Sequence, residues 1–190
     1  LKTLLSYMSS NATSGKKEYN DHVEEIVYGL FMCRGDLPSR LCQQCILNAT
    51  QKILTECVSF QNAIMWYNHC MLRYSEWNLF YHLRGSPTIK FQMLNVTTIS
   101  NPDPEQNFFT FALSNTLADL ALVALDSRNG GYQTKPLKLN DLQILYTFAQ
   151  CTPDLSNEDC KKCLEEIIGE IPWSRLGSLG GRVLYPSCNL

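Results

Sequence analysis

Nine cysteines, at positions 33, 42, 45, 57, 70, 151, 160, 163 and 188, are the side chains of this 190-residue sequence whose spacing points most directly to chemistry. Thiols this close in sequence can close structural disulfides, cycle as a redox dithiol or hold zinc. Eight of them form two sets with one spacing. Cys33, Cys42, Cys45 and Cys70 read C-x8-C-x2-C-x24-C, and Cys151, Cys160, Cys163 and Cys188 repeat that pattern at a shift of 118. A redox C-x2-C belongs in a βαβ setting, whereas both pairs here lie in helical periodicity. Zinc would call for paired C-x2-C clusters, and each set has one. The histidines His22, His69 and His82 do not repeat between the sets, so no metal site is expected. Structural disulfides are therefore the expected chemistry. In the chain-entropy model the shorter loop contributes about 2.7 kcal/mol and the longer about 3.5 kcal/mol. Together these approach the net stability of a small domain, about 5–15 kcal/mol. Four cysteines allow three connectivities, and spacing does not choose among them. Cys57 is left over. Its counterpart under the shift is Arg175, so its partner is expected upstream of Leu1.

No other constellation suggests catalysis. The histidines are scattered, no carboxylate pair repeats, and no cofactor is called for. The glycines of Gly177–Gly181 follow a helix rather than open one, which suits a turn before a strand and not a phosphate cradle. Asp36 and Asp154 recur between cysteines and are expected to cap loops. Trp66, Trp77 and Trp173 are expected to pack in cores or between domains rather than anchor a partner. Sixteen Lys and Arg balance 18 Asp and Glu with no basic stripe, which excludes a nucleic-acid surface. Three glycosylation sequons begin at Asn11, Asn48 and Asn95, and with the cysteine density they indicate the secretory route. No apolar run is long enough to span a bilayer, so membrane attachment is expected through a span outside this chain.

The elements that position the cysteines are also duplicated. Tyr28 matches Tyr146, Asp36-Leu37 matches Asp154-Leu155, Ile53 matches Ile171 and Tyr67 matches Tyr185. Two tandem domains are expected, 1–88 and 89–190, the first truncated at its N-terminus and the second at its C-terminus. The turn-rich Ser100–Gln106 precedes the second domain's first helix. Each copy opens on a helix, residues 1–10 and about 108–125, the latter with an apolar stripe of Leu113, Leu117, Leu120, Ala121 and Ala124. A polar, glycine-containing loop follows, then an apolar run into the first cysteine. A second helix carries the C-x2-C pair. In the second copy Ser156 is the expected N-cap, and Cys160, Cys163, Leu164, Ile167, Ile168 and Ile171 share one face. Short strands, Ala63–Tyr67 and Gly181–Tyr185, lead to the last cysteine. The fold class is α+β, two disulfide-stapled domains with helices on antiparallel strands.

The wording around the cysteines supports a family resemblance. Tyr28–Leu37 through Cys45, then Trp66–Ser75, resemble the first extracellular domain of plant cysteine-rich receptor-like kinases, and Ala149–Leu155 with Gly180–Cys188 resemble the second. Both are ginkbilobin-homologous, or stress-antifungal, domains. The resemblance implies two helices against an antiparallel sheet of about five strands in each domain. It implies the bridges Cys33–Cys42, Cys45–Cys70, Cys151–Cys160 and Cys163–Cys188, with Cys57 joined to an upstream cysteine. The second domain has lost that third bridge, since Trp173 and Arg175 stand where its cysteine would be. The founding seed antifungal member binds mannose through an Asn after its first cysteine, an Arg six residues before the last and a Glu five after it. The Arg and Glu places hold Ile64 and Ser75 in the first domain, while Arg182 occupies the Arg place in the second and is the candidate ligand-binding residue.

The implied function is a non-catalytic, extracellular ligand-sensing or receptor-pairing module of a receptor-like kinase whose Ser/Thr kinase domain lies elsewhere. It would sit at the plasma membrane, facing out, with an extracellular protein, peptide or co-receptor as partner. Carbohydrate is the other partner class. The alternatives are the ectodomain of a plasmodesmata-located protein and a secreted mannose-binding antifungal protein.

Overall fold

The computed structural model describes residues 1–16, 18–23, 27–57, 59–77, 91–94, 104–123, 131–173 and 180–190. The chain forms two compact units, residues 1–82 and 83–190. The division expected at 88/89 falls in residues 78–90, outside those described.

The first unit runs α1 (Lys2–Thr13), β1 (Glu18–Val23), β2 (Val27–Cys33), α2 (Ser39–Glu56), β3 (Asn62–Trp66), β4 (Cys70–Ser75). Leu4, Leu5, Met8 and Ala12 recur at helical spacing and form the buried stripe of α1. On α2 the same spacing buries Cys42, Cys45, Ile46, Ala49, Thr50 and Ile53. The three-residue step of C-x2-C places both thiols on that stripe, one turn apart. The strands pair antiparallel in the order β1-β2-β4-β3. Central β4 is buried throughout. Both helices lie on one face of the sheet and share a core with Phe31, Leu72 and Tyr74. Leu30, Met32 and Met71 form a smaller cluster on the opposite face, as strand alternation requires. Gly29 brings α1 onto β2: a Cβ there would run into Met8 Cε and Leu4 Cδ2.

The second unit runs β5 (Phe91–Leu94), α3 (Pro104–Val123), β6 (Gln133–Lys138), β7 (Ile144–Cys151), α4 (Asn157–Gly169), β8 (Gly181–Leu184), β9 (Cys188–Asn189). Its antiparallel sheet has the order β5-β8-β9-β7-β6. That is the first unit's order with β5 added outside β8. Leu113, Leu117, Leu120 and Ala121 of α3 pack with Cys160, Cys163, Leu164 and Ile167 of α4. Ala124 lies outside the described residues. Ser156 is the N-cap of α4: its Oγ accepts from the Asp159 amide at 3.1 Å and donates to Asp159 Oδ2 at 2.7 Å.

Several elements differ from the sequence expectation. The polar stretches read as loops contain β1 and β6. Both are edge strands, so neither carries the apolar run that marks a buried strand. Along β6 half-buried and exposed residues alternate, and Pro136 is tolerated because the edge needs no donor on its open side. β4 and β5 were not expected as strands. Pro104–Gln106, assigned to a turn, begin α3, since a proline is well suited to a first helical position. Ile171 falls beyond the end of α4 and Ile168 is half-buried. The first sheet has four described strands rather than about five.

Candidate functional site

The features with chemical potential are the staples, the positions that the family resemblance aligns with a mannose site, and the surroundings of Cys57. Across β2 and β4, Cys33 sits directly opposite Cys70. Neither bonds the other. Cys33 reaches up to Cys42 and Cys70 to Cys45, with Cα–Cα distances of 5.6 and 6.0 Å. The second unit repeats this arrangement. Cys151 lies opposite Cys188, and they bond Cys160 and Cys163 at Cα–Cα distances of 5.7 and 6.1 Å. Two parallel bridges thus bolt each second helix to the centre of its sheet. The two cysteines of each C-x2-C are bonded to different partners, so they do not form a redox dithiol loop.

At the sugar positions the first unit has spent its side chains on packing. Ile64 packs against the cluster of Leu30, Met32 and Met71. Ser75 is buried, and its Oγ accepts from the Trp77 amide at 3.0 Å. In the second unit Arg182 is half-buried on β8, opposite Met93 of β5, and lines an apolar cavity of about 180 Å3. No described carboxylate lines that cavity. Asp36 takes a two-pronged ion pair from Arg34, at 2.7 and 3.1 Å, within the loop between the bonded cysteines, and Asp154 is buried. Trp66 and Trp173 pack against cores, whereas Trp77 is half exposed.

Cys57 caps the C-terminal end of α2, half-buried and, among the described residues, outside every disulfide. Burial, and next the Glu56 carboxylate, push the pKa of its thiol above the ordinary 9.0. The Tyr74 hydroxyl lies against the carbonyl oxygens of Cys57 and Phe60, the latter at 2.9 Å. Burial first, then Cys57 and Glu76, raise its phenol above the ordinary 10.0. This tie between β4 and the loop after α2 was not legible from the cysteine spacing. Its only sequence signal is an aromatic four residues after the last cysteine of the first set. Of the sequons, Asn48 is exposed on α2 while its Thr50 is buried, with its hydroxyl donating to Leu47 O at 2.9 Å. Asn11 Nδ2 donates to Tyr7 O at 2.9 Å. Asn95 and His82 lie outside the described residues, and His22 belongs to β1.

The duplicated, twice-bolted helix-on-sheet geometry agrees with the comparisons to known proteins. The family model for salt stress response/antifungal domains matches residues 1–77 and 95–190. The chain belongs to that family. Salt stress response/antifungal relatives of two kinds match it. One is cysteine-rich receptor-like protein kinase 25 of Arabidopsis thaliana, 34% identical over 200 residues, which takes in 100% of this chain and 28% of the kinase. The other is an antimicrobial ginkbilobin-2-like protein of Castanea crenata, 38% identical over 162 residues, covering 85% of this chain and 64% of that protein. Among solved structures, the tandem DUF26 ectodomain of the Arabidopsis thaliana cysteine-rich receptor-like protein PDLP8 superposes with a TM-score of 0.78 at 25% identity, over 98% of this chain and 84% of the other. The tandem stress-antifungal domains are an extracellular receptor-like module. The chain spans a little over a quarter of the length of the kinase it matches.

Proposed function

We propose that this chain is the ligand-sensing or receptor-pairing part of a plant cysteine-rich receptor-like kinase. It is non-catalytic itself, carried on the outer face of the plasma membrane by a span elsewhere in the polypeptide, and glycosylated at Asn11, Asn48 and Asn95. The observation that carries the reading is the match of the whole chain to 28% of a receptor-like kinase. Protein or peptide recognition is favoured over mannose because Ile64 and Ser75 are committed to packing and a backbone amide, with no guanidinium or carboxylate at those places. Among the described residues no helix is long and apolar enough to cross a membrane.

The test is affinity capture from plant membranes with the glycosylated chain as bait. Saturable retention of a specific extracellular peptide or receptor ectodomain supports the reading. Mannose binding that depends on Arg182, with no protein retained, overturns it in favour of a carbohydrate-binding antifungal protein. The superposition on PDLP8 favours a second reading, a receptor-like protein without a kinase. Sequencing the full-length transcript separates the two: a kinase domain after the membrane span supports the first, and its absence the second.

A further inference from the structure

Helix α3 has two apolar sides. One is the core stripe of Leu113, Leu117, Leu120 and Ala121. The other is Phe108, Phe111, Asn115, Ala118 and Leu122, all exposed, with 56% of Phe108, 68% of Phe111 and 57% of Leu122 open to solvent. At helical pitch these five share ~80° of arc, on the side away from the core stripe. Large apolar side chains grouped in water do nothing for the fold of the unit that carries them.

The matching face of α1 is a control within the same chain. Leu4, Leu5 and Met8 are buried on α1 as Thr116, Leu117 and Leu120 are on α3, at a shift of 112. That shift carries Thr3, Ser6 and Ser10 to Asn115, Ala118 and Leu122. α1 presents exposed hydroxyls where α3 presents apolar surface, so the apolar face is not a demand of the shared scaffold.

The spacing says what fits there. Steps of three, four, three and four residues are the a and d positions of two coiled-coil heptads. Asn115 takes the central a position, where a lone Asn fixes the register of a helix pair. The seam is also complementary to itself. Antiparallel pairing with a second α3, about a two-fold axis at Asn115, sets Phe111 of each copy against Ala118 of the other and Phe108 against Leu122. Large then meets small at the centre of the seam. Parallel pairing would set Phe111 against Phe111 and Ala118 against Ala118, which no single interhelical distance of about 8–10 Å accommodates well. Beside the seam, Asp119 is neutralised by Lys135 at 2.6 Å, and the Ser114 hydroxyl is turned onto Phe111 O at 2.9 Å. Residues 104–123 include no Lys or Arg, the cations with which an amphipathic helix holds an anionic lipid surface.

We propose that the outer face of α3 is a self-association surface, on which a second copy of this chain packs its own α3 antiparallel about a two-fold axis at Asn115. This rests on the receptor-pairing reading above and names the partner. An isologous seam closes a dimer and stops there. Two heptads are small against a standard interface of about 1,200–2,000 Å2, so the pairing is weak, with a Kd of about 10–100 µM. That strength suits copies held at high local concentration on one membrane.

The test is sedimentation equilibrium of the glycosylated 190-residue chain up to about 1 mM. The parent is expected to pass from monomer to dimer. Phe111→Glu and Leu122→Glu should each weaken the dimer about tenfold or more, because a carboxylate is then buried against an apolar partner. Ser10→Glu, at the matching place on α1, should leave it unchanged. These positions are exposed, and circular dichroism checks that each variant is folded; Phe111→Ala is the milder substitute should Phe111→Glu not fold. Mixing the Phe111→Glu chain with an Ala118→Lys chain should restore the dimer that neither forms alone, since positions 111 and 118 face each other only in the antiparallel pairing. A parent that stays monomeric, growth beyond a dimer, a dimer indifferent to Phe111 and Leu122, or no rescue on mixing overturns the proposal. A monomeric parent that still captures another receptor's ectodomain from plant membranes sinks self-pairing and leaves the receptor-pairing reading standing.

Discussion

Tyr74 connects two parts of the first unit that the cysteines do not join. Its hydroxyl supplies a proton to the carbonyls of Cys57 and Phe60, at the point where α2 has ended and β3 has not begun. Tyr74→Phe keeps the ring in the core but removes the hydroxyl from both carbonyls, leaving Cys57 O with the Phe60 amide at 3.0 Å. A loss of about 1–2 kcal/mol is expected, read from the urea midpoint at pH 7. Gly29 acts through what it lacks. Gly29→Ala sets a methyl group against Met8 and Leu4, whose side-chain ends can shift only by disturbing the core between α1 and β2. A destabilisation of about 1–3 kcal/mol is expected in the same measurement, with the three-dimensional fold retained. Neither residue advertises its role in sequence, since each depends on an approach between segments far apart in the chain.

Each second helix is held to its sheet by two bridges from adjacent strands. The loops they close differ in length, with sequence separations of 9 and 25 in both units. Loop-closure entropy therefore orders the staples. Replacing Cys45 and Cys70 together by alanine is expected to cost about 3.5 kcal/mol, and replacing Cys33 and Cys42 together about 2.7 kcal/mol. Equilibrium unfolding of the two double variants tests the order, and a larger loss from the shorter loop would contradict the entropic account. The helices themselves were legible: the apolar stripe of α1 and the spacing of Cys160, Cys163, Leu164 and Ile167 on α4 are periodic signals a reader can count. The edge strands were not. β6 is Gln-Thr-Lys-Pro-Leu-Lys, and what makes it a strand is β7 beside it, not its own pattern.

At the scale of the molecule the two copies differ in their response to alkali. Cys57 and Tyr74 both belong to the first unit, and Arg175 stands at the Cys57 place in the second. Burial raises both pKa values above 9.0 and 10.0 respectively, so folding favours the protonated forms. A group raised in the folded state contributes its stability fully below its unfolded pKa and loses it as pH climbs through the folded value. The first unit is therefore expected to hold its melting temperature from pH 6 to about 8 and lose it above about pH 9. A variant combining Cys57→Ser with Tyr74→Phe should flatten that loss. Melting curves at stepped pH, followed by tyrosine absorbance, check this. A variant as alkali-sensitive as the parent would remove these two groups as the cause.

The sequence by itself determined that one framework is used twice, which residues are its staples, and which face of each cysteine-bearing helix is buried. These follow from gaps and periodicity, which are properties of the chain in one dimension. The tertiary structure decided which cysteine bonds which. Cys33 and Cys70 lie opposite each other on neighbouring strands, with Cys42 and Cys45 one helical turn apart above them, and only that placement selects two parallel bridges from three connectivities. It also decided that Ile64 and Ser75 serve the core, because strand pairing and burial arise only when distant segments meet.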